Sequence, residues 1–269
     1  MNQTNNKRVA LWDQGEQKRE NSRETLTMKA LQIISSALFV FVMSASAGAQ
    51  TPKADVATFH LGDQVITIPA PNDFEEAASQ FESIKTRFTV TEAPSNDMLA
   101  VHLPHADCEK LRAGGAASLN FYTKISVPRS ARSLDYSAEQ FAKLVSEFRK
   151  TGSQVMDVNG PTMKETLEHL SKGLSDLNKN ETQVDMDQPL SLGEFDTRPN
   201  VYSVMLLVNL KAQSGDVKIS QLIAGGISFV RIKQRLIFVY TYRKYDSKAD
   251  VETLRDFTKQ WIGQILAAN

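Results

Sequence analysis

Two short runs rich in β-branched residues open the patterned part of the chain. Val56-Ala57-Thr58-Phe59-His60-Leu61 and Val65-Ile66-Thr67-Ile68-Pro69 flank Gly62-Asp63. Gly and Asp tolerate the positive φ that a tight hairpin turn requires, so the segment predicts a β-hairpin. Pro69 and Pro71 end its second strand, because proline donates no hydrogen bond to a ladder. Beyond it the pattern predicts a short helix near residues 74–85 and strands over 98–103 and 119–127.

Helical spacing is clearest at Phe141, Leu144, Val145 and Phe148. Ser137 and Gln140 are spaced as a capping box, Tyr136 and Phe141 as a hydrophobic staple. Gly152 stands where a left-handed residue is expected to end that helix. A second helix is predicted after Thr162, which pairs with Glu165 in the same capping pattern. Its Met163, Leu167, Leu170, Leu174 and Leu177 alternate steps of four and three. Those are coiled-coil steps, but the run is too short for one, so a helix packed on a sheet is expected.

Residues 189–244 read as strands at 201–210, 217–230 and 236–242, with Lys233-Gln234 as a turn. Gly225-Gly226 inside the second predict a bulge or a close backbone approach. Ser247 then caps a final helix that turns Val251, Leu254, Trp261, Ile265 and Leu266 inward, with Phe257 and Ile262 beside them. Successive strands joined by short turns, with helices around them, predict the α+β class: an antiparallel meander with packed helices.

The meander from Tyr202 to Tyr242 with its closing helix to Leu266 resembles the PsbP/Mog1-type α-β-α sandwich. The run Ile66-Thr67-Ile68-Pro69-Ala70-Pro71, followed by a Phe and a strand near Leu99, resembles exported bacterial proteins of unknown function. The resemblance lies in element order over most of residues 50–269. It implies a binding or assembly role and carries no catalytic residue across.

Ahead of that region, Lys29 precedes an uncharged apolar stretch from Leu31 to Met43, and small residues follow from Ser44 to Ala49. This is the order of a secretory signal peptide. Ala47 and Ala49 suit cleavage before Gln50, and Ala45 and Ala47 suit cleavage before Gly48. The stretch is shorter than the ~20 apolar residues a spanning helix needs, so no permanent membrane span is expected. No Cys near the cut offers a lipid anchor. Residues 28–49 are therefore read as a cleavable signal and residues 50–269 as a single periplasmic or secreted domain. Residues 1–27 are polar and aperiodic; they are expected to be disordered, or to precede a natural start at Met28.

The signal also alters the charge. Residues 1–49 hold six of the 31 basic and four of the 31 acidic side chains, leaving 25 against 27 and a net charge of −2. A nucleic-acid binder usually carries a basic excess, so no nucleic-acid partner is expected. The single Cys, Cys108, excludes an internal disulfide and is expected to be buried.

No G-x-S-x-G, H-E-x-x-H, C-x-x-C or G-x-x-x-x-G-K-[ST] pattern occurs. Two clusters remain. His102, His105, Asp107 and Cys108 offer imidazole, carboxylate and thiolate, the donor types of a Zn²⁺ or Cu²⁺ site. The competing reading is a strand end running into an exposed polar turn. Lys124, Arg129 and Arg132, with Arg231, Lys233 and Arg235 at the late hairpin turn, form a candidate anion or lipid-headgroup patch. The competing reading there is solvated turn charge and protection of edge strands. The carboxylates of Glu75-Glu76 and of Asp185 and Asp187 match no acid/base pair, and are expected at a helix start and in solvated loops.

Three functions fit. The leading one is a non-catalytic exported module that binds an envelope protein or a small ligand. The others are a metal-binding or metal-dependent protein using His102 and His105, and an enzyme with a site assembled from scattered residues. No particular cofactor is indicated.

Overall fold

The computed structural model describes residues 56–269. The expected signal at 28–49 and the segment before it lie outside the described residues. Among those residues no helix is long and apolar enough to cross a membrane.

The hairpin forms as read: β1 (Val56–Leu61) pairs with β2 (Gln64–Pro69), and Gly62 takes φ +62° in the turn. Next come β3 (Phe74–Glu76), helix α1 (Glu82–Val90), β4 (Asn96–Pro104), helix α2 (His105–Arg112) and β5 (Phe121–Pro128). Helices α3 (Ala138–Val155) and α4 (Pro161–Asn178) follow. Strands β6 (Thr182–Met186), β7 (Leu190–Asp196), β8 (Val201–Ser214), β9 (Val217–Ile232) and β10 (Arg235–Lys244) lead to helix α5 (Lys248–Ala267).

The main sheet has the order β3-β4-β5-β10-β9-β8-β6, and β7 shares the outer edge of β8 with β6. Every pairing is antiparallel, so the fold is α+β. Period-two alternation then gives the sheet two apolar faces. On one, Tyr122, Leu206, Phe229, Phe238, Tyr240 and Tyr242 pack with Phe88 of α1, Phe141, Leu144 and Phe148 of α3, and Leu170 and Leu174 of α4. On the other, Ile125, Val127, Val230, Ile237 and Val239 pack with Ile66 and Ile68 of β2 and Trp261, Ile262 and Ile265 of α5.

Three local expectations change, and a fourth is decided between its two alternatives. Residues 74–85 do not start as a helix: Phe74–Glu76 pair with β4, and α1 begins at Glu82. The Glu76 carboxylate accepts from the amides of Ala78, Ser79 and Val101, which holds the chain in a turn there. Gly152 lies inside α3, buried, where a Cβ would come within 3.1 Å of the Phe148 ring one turn back. Helix α4 starts at Pro161 with Gly160 as its cap, not at Thr162; proline suits the first helical position because its missing N–H would be unpaired anyway. Gly225-Gly226 make no bulge, since the β8–β9 and β9–β10 registers run through them unbroken. They serve close approach: a Cβ at Gly226 would lie 2.5 Å from Thr241 Oγ1.

Candidate functional site

Strand β5 turns Tyr122, Lys124 and Ser126 toward the face covered by α1, α3 and α4. Lys124 is only 3% exposed and Ser126 is fully buried. A buried ammonium needs a partner, and the segment after α1 supplies it. Lys124 Nζ lies 2.9 Å from Glu92 Oε2, and Ser126 Oγ donates to the same oxygen at 2.6 Å. The other carboxylate oxygen, Oε1, accepts from the Ala93 amide at 3.1 Å and from Asn96 Nδ2 at 3.2 Å. The Lys124 ammonium also sits 5.2 Å from the centre of the Tyr240 ring.

Above this buried pair opens a cleft of about 490 Å³. It is walled by the end of α1 and the segment after it (Thr89, Glu92, Ala93, Pro94), the start of β4 (Asn96, Asp97, Met98), the turn after β5 (Arg129, Arg132) and His169 of α4. The Asp97 carboxylate binds both arginines, with Arg129 Nε at 2.8 Å and Arg132 Nη1 at 2.9 Å. Arg129 also donates to the Pro94 carbonyl, and His169 Nε2 to the Glu92 carbonyl at 2.9 Å. Asn96 is 1% exposed, and its Oδ1 has no hydrogen-bond partner among the described residues.

The His102–Cys108 cluster does not form a ligand set. Strand alternation sends His102 to the α5 face, where its ring packs edge-on against Trp261 and Nδ1 meets Thr123 Oγ1 at 3.1 Å. Burial pulls its imidazole down to about 3. The expected loop after Pro104 is instead α2, which carries Cys108 into the core on the opposite face, beside Val101 and Leu103. Burial, with help from the Glu75 carboxylate, pushes the Cys108 thiol up to about 12. Asp107 accepts from Ser118 N and Oγ, and His105 Nδ1 lies 2.8 Å from Glu75 Oε1. Among the described residues no group of three or more His, Cys, Asp or Glu side chains is placed to hold a metal.

Glu75 and Glu76 are 3% exposed, contrary to the solvated positions expected of them. Burial works to raise the Glu75 carboxyl, but hydrogen bonds from Arg112 and His105 outweigh it and hold it below its usual range.

The six cations do not form one patch. Lys124 is interior. Arg235 is 3% exposed, donates to the Leu61 carbonyl and pairs with Asp63 and Asp135. Lys233 donates to the Val65 carbonyl, Arg132 to the His60 carbonyl, and Arg231 to the Tyr136 carbonyl and Asn200 Oδ1. Four of these bonds thus use basic side chains to fasten the β1–β2 hairpin and its turn to the end of the sheet. Of the six, Arg129 and Arg132 line the cleft.

The sequence reading passed over Glu92, Asn96, Asp97 and His169. One signal was present: Lys124 stands inside an otherwise strand-forming, largely apolar run, and a charge there is almost never buried unless paired. The position of its partner depends on the crossing of α1 over β5 and is absent from local spacing.

No protein-family model matches the chain, and no curated protein matches it.

Proposed function

We propose that the protein is exported and acts as a non-catalytic module that binds a small ligand in the cleft between α1, β4 and α4. One observation carries this reading: a cleft of about 490 Å³, within the ~300–1,000 Å³ range of small-molecule sites, gathers Asp97, Arg129, Arg132 and His169 on its walls. Asp97 holds both arginines in place, and such preorganisation lowers the cost of binding. The signal pattern at residues 28–49 supports export.

The potential nucleophiles and bases favour binding over catalysis. Ser126 is sealed beneath Glu92, Cys108 is buried as a thiol, and His102 is enclosed against Trp261. His169 faces the cleft with Nε2 committed to a backbone carbonyl. Helices on both faces of the sheet are also in keeping with the accessory role that the sandwich resemblance implies.

Two measurements test the reading. Cell fractionation should find the chain outside the cytoplasm with its N terminus at Gly48 or Gln50; an uncleaved cytoplasmic chain would remove export. A thermal-shift screen of small polar compounds should give hits that Met98→Trp abolishes by filling the cleft. Hits indifferent to Met98→Trp would place binding elsewhere.

A further inference from the structure

The unpaired backbone groups of a sheet edge are a template for a further strand. Side chains close two of the edges here. On β2, Asn269 Oδ1 accepts from the Thr67 amide and its Nδ2 donates to the Thr67 carbonyl, while Lys233 and Trp261 donate to the Val65 and Pro69 carbonyls. On β6, Ser175 Oγ bonds both the amide and the carbonyl of Thr182, and Ser171 Oγ accepts from the Val184 amide.

The start of β9 has no such cover among the described residues. β10 stops at Lys244, opposite Ile223, so residues 217–222 meet β8 on one side only. Ser214 and Val217 close the two-residue Gly215-Asp216 turn, and a closing pair of this kind is hydrogen-bonded. The backbone groups of Val217, Ile219 and Gln221 therefore face β8, and those of Lys218, Ser220 and Leu222 face outward. The Tyr245 amide donates to the Leu222 carbonyl at 2.9 Å, as this alternation requires. The N–H and C=O of Lys218 and Ser220 are left over. Beside them Val217 and Ile219, 61% and 39% exposed, share one face of the strand.

We propose that this edge pairs with the same edge of a second copy of the chain, antiparallel about a two-fold axis at Ile219. The stretch is self-complementary in that register. Lys218 of each copy meets Ser220 of the other, and each such pair exchanges both backbone hydrogen bonds. Ile219 meets its own counterpart as a non-hydrogen-bonded pair, the kind that brings side chains closest. Val217 meets the stem of Gln221. Neighbouring registers fail. An axis at Lys218 would set two lysines directly opposite each other, which is destabilising. An axis at Ser220 would pair Lys218 with Leu222, whose carbonyl Tyr245 already holds. The turn bounds the free stretch at one end and Tyr245 at the other, and a second copy fills it from end to end. The surface shares no residue with the cleft, so it stands or falls separately from the ligand reading.

Sedimentation equilibrium of the purified chain from about 10 µM to about 1 mM tests the pairing. A concentration-dependent dimer is expected with no larger species, because a two-fold pair uses up the edge. Ser220→Pro removes an outward N–H that bonds nothing among the described residues, so it should give a monomer with unchanged unfolding temperature. Ile219→Lys, at an exposed position, should do the same through like charge, and serves if proline disturbs the hairpin. Disulfide formation reads the register. Cys108, the one cysteine of the chain, is buried, so an introduced thiol reports alone. Ile219→Cys should cross-link to itself on mild oxidation, because Cα atoms about 4.5 Å apart lie within disulfide range. Val217→Cys should cross-link to itself roughly tenfold more slowly, and rapidly when mixed with Gln221→Cys. A monomer throughout the concentration range overturns the proposal. So does a dimer that survives both Ser220→Pro and Ile219→Lys, or Val217→Cys cross-linking to itself as fast as Ile219→Cys.

Discussion

Glu92 and Lys124 meet beneath the cleft with Oε2 and Nζ 2.9 Å apart, and both side chains are at least 95% buried. Removing one partner would leave the other as an uncompensated buried charge, at a cost of about 3–5 kcal/mol. Lys124→Met is therefore expected to lower unfolding stability by that order. The double variant Lys124→Met/Glu92→Gln should recover part of the loss, because Gln keeps an acceptor for Asn96 and carries no charge. Urea denaturation of the single and double variants measures this. A Lys124→Met protein as stable as the parent would mean that the pair contributes nothing.

Gly226 and Thr241 sit directly opposite each other on β9 and β10, beneath α5. Thr241 Oγ1 bonds Thr258 Oγ1 at 2.7 Å, and Thr258 in turn donates to the Leu254 carbonyl at 2.6 Å. A methyl at 226 must displace the Thr241 hydroxyl. Gly226→Ala is expected to destabilise by about 1–3 kcal/mol. The clash disappears with the hydroxyl, so a double-mutant cycle with Thr241→Ala should show coupling above about 0.5 kcal/mol. Purely additive effects would show that the steric relation is unimportant.

His102 links stability to acid. Its folded value of about 3 lies below the ordinary 6.5 because burial opposes the imidazolium. Between those values the unfolded chain binds more protons than the folded one, so stability rises with pH there. The contribution is complete above about pH 6.5 and is lost as pH falls toward 3, on the order of a few kcal/mol. His102→Gln should flatten stability against pH in that window. Asp250, held down to about 2 by Arg243 and the amides of Asp246 and Ser247, acts mainly below the same window. An unchanged profile in His102→Gln would assign the acid sensitivity elsewhere.

Cys108 is a core thiol rather than a reagent. With its value raised to about 12 and the sulfur fully buried, almost no thiolate exists at neutral pH. A thiol-reactive disulfide reagent should leave it untouched in the native protein and label it fully in denaturant. Labelling of the native protein within minutes would contradict the structure.

Short-range chemistry was legible along the chain. The Gly62-Asp63 and Lys233-Gln234 turns, the Ser137–Gln140 cap, the α3 stripe and the buried side of α5 all arise within a few residues, and all are found. Gly152 and Thr162 were misplaced because a terminator and a cap look alike in sequence whether the helix ends there or one turn away. Glu75 and Glu76 look like a solvated helix start until pairing with β4 buries them. The metal cluster failed on alternation: only two residues separate His102 from His105, but a strand and a helix divide them between surroundings that never meet. The cleft was beyond local reading, because its walls come from residues 89–98, 129–132 and 169. The sequence by itself determined the β1–β2 hairpin, helices α3 and α5, the late meander and the α+β class, since each depends on contacts and periods a few residues long. Only the tertiary structure decided that Glu92 would meet Lys124 and Asn96 and that Asp97 would hold two arginines. Those relations depend on how helices cross strands, and crossing is a property of the packed core.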